Sequence, residues 1–143
     1  VAESRLVVVH ENDMGMGYTL KQVVYYLDGG KIYFAQNDKG QLDDKRRFVI
    51  YDGTVVPGSH VLAVQLTYEG SGGLFTYVSG YKFTLESSFT FFAAKGKILQ
   101  VNATGFEKGG MLARFEEKPA VRYTMKQVRY TKENLDAILK ELQ

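Results

Sequence analysis

Residues 54–70, TVVPGSHVLAVQLTYEG, decide how this chain is read. Pro57 holds its φ near the extended and turn region, and Gly58 supplies the backbone freedom needed to reverse direction. After that corner His60, Leu62, Val64, Leu66 and Tyr68 fall on one side, and Val61, Ala63, Gln65 and Thr67 on the other. Period two with one apolar face is the pattern of a half-buried strand. The question it raises is whether His60 belongs to a site or simply begins a strand.

Working outward, the same period recurs near residues 5–10, 18–27, 31–35, 46–51, 75–85, 89–93, 97–106 and 120–130. Between these runs stand Asp28-Gly29-Gly30, Asp52-Gly53, Lys95-Gly96 and Lys108-Gly109-Gly110, residues suited to chain reversal. Asp28-Gly29 predicts a tight hairpin with a primed turn. Helical spacing appears once, where Thr131 is placed to cap a helix carrying Leu135, Ile138, Leu139 and Leu142. The expected fold is all-β, an immunoglobulin-like antiparallel β-sandwich of eight or nine strands with a short C-terminal α-helix. Residues 1–130 form the sandwich, and 131–143 form an amphipathic helix appended to it.

The 143 residues suit one domain, and ten tyrosines and nine phenylalanines with no tryptophan favour strands. A formal charge of +2, with acids interleaved among the bases, implies no nucleic acid partner. No cysteine is present, so no disulfide forms. No apolar run approaches the roughly 18–20 residues that span a bilayer. The chain begins at Val1 without methionine, which carries the expectation of a processed product with a signal peptide or anchor upstream.

Residues able to support a reaction are few. Nucleophilic catalysis needs a base beside its nucleophile, and the two histidines, His10 and His60, lie on separate strand candidates. His60 reads as a packed or hydrogen-bonded strand residue, and His10, beside Glu11 and Asp13, as a solvated strand end in preference to a cation ligand. Two histidines fifty residues apart imply no zinc-class metal. Residues 37–44, NDKGQLDD, lack the ordered ligand spacing of a calcium loop and read as a hairpin turn. The glycine-rich stretches at 15–17 and 70–73 run into strands, where a phosphate cradle would feed a helix. No catalytic residue, cofactor or metal is expected.

Aromatics remain. Tyr25 and Tyr26 are consecutive, as are Phe91 and Phe92, so one of each pair leaves the main core face. It can pack under a loop, form a sugar-stacking platform or meet another protein. Candidate partner-binding residues are therefore Tyr25, Tyr26 and Tyr77, with Leu135, Ile138, Leu139 and Leu142 of the helix as a second surface.

The order of motifs resembles a known family. Leu27-Asp28-Gly29, then Gly40, Leu42 and Asp44, then Pro57, Gly58, His60 and Leu62, then Gly80, Tyr81 and Phe83, and finally Glu117, Pro119, Val121 and Tyr123 match its signature elements. The chain is similar to an uncharacterised family of secreted β-sandwich proteins from myxobacteria and other deltaproteobacteria, often carrying the label dihydrolipoamide acetyltransferase. That label needs a lipoyl-lysine in a DKA hairpin or an HxxxDG element. Here Asp38-Lys39 precedes Gly40, and neither histidine begins the second pattern, so no enzyme is expected. The LDG and PG-x-H-x-L pieces also look like PEGA-type envelope domains. The resemblance implies the periplasm or cell envelope, an upstream signal peptide and coiled coil, and proximity to energised envelope-transport components. The expected function is a non-enzymatic protein–protein interaction or structural module there, engaging envelope proteins or associating with itself through the C-terminal helix. A carbohydrate-binding module for cell-surface polysaccharide is the alternative.

Overall fold

The computed structural model describes residues 3–15, 17–70, 80–109 and 118–143. Among these described residues alternating side chains form eight strands: β1 (Ser4–Asp13), β2 (Tyr18–Leu27), β3 (Gly30–Gln36), β4 (Arg47–Val55), β5 (Gly58–Gly70), β6 (Lys82–Ala93), β7 (Lys97–Glu107) and β8 (Pro119–Arg129). One helix, α1 (Lys132–Glu141), follows. Sheet 1 has the order β4-β1-β7-β8 and sheet 2 the order β3-β2-β5-β6. The two pack face to face over a shared core that includes Leu6, Val8, Val23, Leu62, Leu66 and Leu99. This is an all-β sandwich with a short C-terminal helix.

Thr54 to Gly70 behave as their period demands. Leu62, Val64, Leu66 and Tyr68 are buried, while Val61, Ala63, Gln65 and Thr67 face out. The β2–β3 hairpin turns at Asp28 and Gly29, which adopt φ of 51° and 86°. Two successive positive values are what a type I′ turn requires, and Asp-Gly tolerates them.

Several local expectations are corrected. The runs at 75–85 and 89–93 contribute to one strand, β6, which passes unbroken through Ser87 and Ser88; residues 75–79 lie outside the described residues. Asp52-Gly53 is not a reversal, because β4 continues to Val55 paired along β1. Gly53 instead leaves space for the Tyr51 ring, whose hydroxyl lies 2.8 Å from where a Cβ would stand. Residues 37–44 form no hairpin: β3 and β4 belong to different sheets, so this segment crosses from one to the other. Asn37, buried there, donates through Nδ2 to the Leu20 carbonyl at 2.9 Å and to Asp43 at 2.7 Å, while Leu42 plugs the core. Finally, all strand pairs are antiparallel except β1 with β7, which run parallel.

Thr131 caps α1, its hydroxyl accepting from the Asn134 amide at 3.0 Å. The apolar stripe of the helix does not stand free for a partner or a second copy. Ile138 is buried against Val7, Val9 and Ile98 on the outer face of sheet 1, with Leu135, Leu139 and Leu142 packed around it. Val7, Val9 and Ile98 project away from the sandwich core, so without the helix they would be exposed to water; α1 completes a second, smaller core.

Candidate functional site

Sheet 1 is covered on its outside by α1, and sheet 2 has no such cover among the described residues. The alternation of β5 sets the geometry of that open face. Ala63 stands opposite Tyr26 of β2 on one side and Ser88 of β6 on the other, and Gln65 stands opposite Val24 and Glu86. Because Ala63 is small, the sheet surface dips, leaving a depression of about 490 Å³ walled by Tyr26, Gln65, Glu86 and Ser88. Gln65 Nε2 donates to Glu86 Oε1 at 3.4 Å, holding both across the floor. Elsewhere on the same outer face three apolar side chains stand exposed: Phe34 at 51%, Val61 at 42% and Phe92 at 62%.

The two aromatic pairs are thereby resolved. Tyr25 points inward and is fully buried, so it is unavailable to a partner, whereas Tyr26 lines the outer depression. Phe91 is in the core and Phe92 is out. Tyr77 lies outside the described residues. Leu135, Ile138, Leu139 and Leu142 are spent on the chain's own sheet 1. Of the residues proposed from sequence, Tyr26 is thus the described one on an open surface. Phe34 and Phe92 were not among them, although the consecutive Phe91 and Phe92 already required one of the two to face out.

The histidines are structural. His60 Nδ1 lies 2.5 Å from Asp28 Oδ2 and Nε2 lies 2.5 Å from the Val56 carbonyl, while Asp28 Oδ1 accepts from the Val61 amide at 2.8 Å. This ties the β2–β3 hairpin to the start of β5. Burial works against the charged ring, but the hydrogen bond to Asp28, that to Val56 and the carboxylate charge outweigh it, and the His60 pKa is raised. The hydrogen bond from His60, with that from Val61, holds the Asp28 carboxyl below its usual range. His10 is neither a cation ligand nor a solvated strand end: it sits on the core face of β1, fully buried against Tyr25 and Phe48. Glu11 is turned to the opposite face by the strand alternation.

On the outside of sheet 1, beside α1, lies a polar cleft of about 390 Å³ that includes Glu11, Arg46, Arg47, Thr104 and Arg122. Glu11 accepts from Asn102 at 3.3 Å and from Thr104 at 3.0 Å. Arg122 pairs with Asp13 at 3.3 Å over the Phe106 ring, and Arg47 donates to the Glu141 carbonyl at 3.0 Å. These groups mostly satisfy one another. Among the described residues no group of three or more His, Asp or Glu side chains is placed to hold a metal ion, and no helix is long and apolar enough to cross a membrane.

No family model matches the chain, and no curated protein matches it. A solved structure that does is the crystal structure of a putative cell adhesion protein from Bacteroides eggerthii DSM 20697, with 13% identity and a TM-score of 0.43. The match covers 90% of this chain and 56% of that one, so this chain spans little more than half its length.

Proposed function

We propose that this domain is a non-enzymatic interaction module of the bacterial cell envelope, binding a protein partner across the open face of sheet 2. The observation that carries this reading is the asymmetry of the two outer faces. The chain covers apolar residues on the outside of sheet 1 with its own helix, yet leaves Phe34, Val61 and Phe92 exposed on the outer face of sheet 2 that also holds the Tyr26 depression. Exposed aromatics rimmed by Gln, Glu and Ser have the composition of a protein-binding patch. The motif resemblance to secreted β-sandwich proteins supports the envelope location and a role beside energised transport components.

A second reading, a polysaccharide-binding module, is favoured by one specific arrangement: the Tyr26 ring beside Gln65, Glu86 and Ser88 offers a stacking surface next to planar polar groups. The two are separated by capture and by glycan array. Pull-down from envelope extracts with the full chain is expected to retain a defined protein, and Phe34→Ser with Phe92→Ser is expected to release it. Failure of the intact chain to capture any protein that these changes release would sink the protein-binding reading. Array binding lost on Tyr26→Ala would establish the sugar reading in its place.

A further inference from the structure

Strand β8 is an edge of sheet 1, paired with β7 on one side and with no strand on the other among the described residues. Its first half is anchored to sheet 2: Tyr123 donates to Ser87 at 2.9 Å and stacks on Phe89 at 4.8 Å. Beyond that point residues 124–129 are exposed on both faces of the sheet. Met125, opposite Val101, is 41% exposed on the core side, and Val128, opposite Ile98, is 37% exposed on the helix side. Apolar side chains left uncovered on both faces of one free edge are what an added strand would bury.

The charge of this edge narrows the occupant. From residue 118 to residue 132 the sequence carries Lys118, Arg122, Lys126, Arg129 and Lys132 and no carboxylate. Arg122 is paired with Asp13, while Lys126 and Arg129 have no ion-pair partner among the described residues. A second copy pairing edge to edge would set these cations against their own images, which disfavours self-association. An acidic strand meets them with opposite charge. We propose that the free edge of β8 over residues 124–129 accepts an extended segment of a partner protein, carrying apolar and acidic residues on both of its faces, as a fifth strand of sheet 1. The proposal rests on the interaction-module reading and adds a second surface to it, distinct from the face of sheet 2.

The test uses the full chain and a fluorescent nine-residue peptide of repeating Val-Val-Glu-Glu, compared with its valine–lysine counterpart and with a glutamate peptide N-methylated at every one of its central residues. Anisotropy is expected to show the acidic peptide binding roughly tenfold or more tighter than the basic one, and weakening at about 0.5 M salt. N-methylation, which removes strand-pairing donors without altering the protein, is expected to abolish binding. Amide exchange should slow in residues 124–129. The pair Lys126→Glu and Arg129→Glu is expected to invert the preference toward the lysine peptide, a result that loss of folding would not produce. Equal binding of both peptides, no binding of either, protection confined to other strands, or a concentration-dependent dimer through β8 would each overturn the proposal. If the acidic peptide fails to bind at β8 while envelope capture is still lost with the sheet 2 changes, the module reading stands and the edge assignment falls.

Discussion

His10 sits with Nδ1 2.6 Å from the Tyr25 hydroxyl and with Nε2 unpartnered among the described residues, and burial lowers its pKa to about 4. The unfolded chain binds its proton near pH 6.5 while the folded chain refuses it until about pH 4, so stability falls as pH drops through that window, by on the order of 3 kcal/mol in all. Denaturant titrations from pH 4 to 6.5 are expected to show this slope, and His10→Leu combined with Tyr25→Phe to flatten it. His60 moves the other way. Its two acceptors are both satisfied only by the doubly protonated ring, so its raised pKa adds stability below pH 6.5 that is lost as pH rises through the folded value. Asp28, with its lowered pKa, contributes above about pH 3.8 and is lost as pH falls through the folded value, so the pair is strongest between these limits. Solvent screens both groups, so His60→Gln should remove a small slope above pH 6.5 and leave the His10 slope between pH 4 and 6.5 intact; persistence of the slope above pH 6.5 would refute the assignment. A third residue-scale contact joins the sheets: a Cβ at Gly105 would overlap the Tyr68 hydroxyl, itself buried without a partner among the described residues. Gly105→Ala is expected to cost about 1–3 kcal/mol. Tyr68→Phe should be neutral or stabilising and should rescue Gly105→Ala, measured as a double-mutant cycle.

At the scale of elements, α1 is held by tertiary packing more than by its own propensity, since ten residues make a marginal helix in isolation. Ile138→Ala is expected to cost about 2–4 kcal/mol in chemical denaturation. Deleting residues 131–143 should do more than trim a tail. It uncovers Val7, Val9 and Ile98, so dye binding to exposed apolar surface and aggregation should rise; a truncated chain as soluble and stable as the intact one would contradict the second core. The helix was legible from Thr131 and its four apolar residues, and so was the stripe's need for a surface. That the surface was the chain's own was not, because Val7 and Val9 read in sequence as part of one continuous apolar run, LVVV, with no sign of two separate faces. The same limit applies to β6, where residues 86–88 fall between the two runs read from sequence but sit within one strand paired to β5 throughout.

For the whole molecule, the parallel pair β1·β7 joins residues more than ninety positions apart, Arg5 with Ile98 among them. Closing such loops before any contact rewards them slows folding, and refolding by stopped-flow is expected in the millisecond-to-second range typical of β-sandwiches. Phe34→Ser with Phe92→Ser should cost no more than about 1–2 kcal/mol, because more than half of each ring is exposed, while changing partner capture. By itself the sequence determined what depends on near neighbours: the period of each strand, the Asp28-Gly29 turn, the corner before His60, the capped helix and the side of each aromatic pair relative to its companion. Those follow from backbone sterics and alternation, which act over a few residues. Tertiary structure alone decided which strands share a sheet, that β1 and β7 run parallel, that residues 37–44 cross between sheets, and which outer face α1 covers. It also decided that His10 is buried and that β8 stands at the edge of sheet 1 among the described residues. Those outcomes depend on contacts between distant segments, and no local pattern records which of two apolar faces another part of the chain will cover.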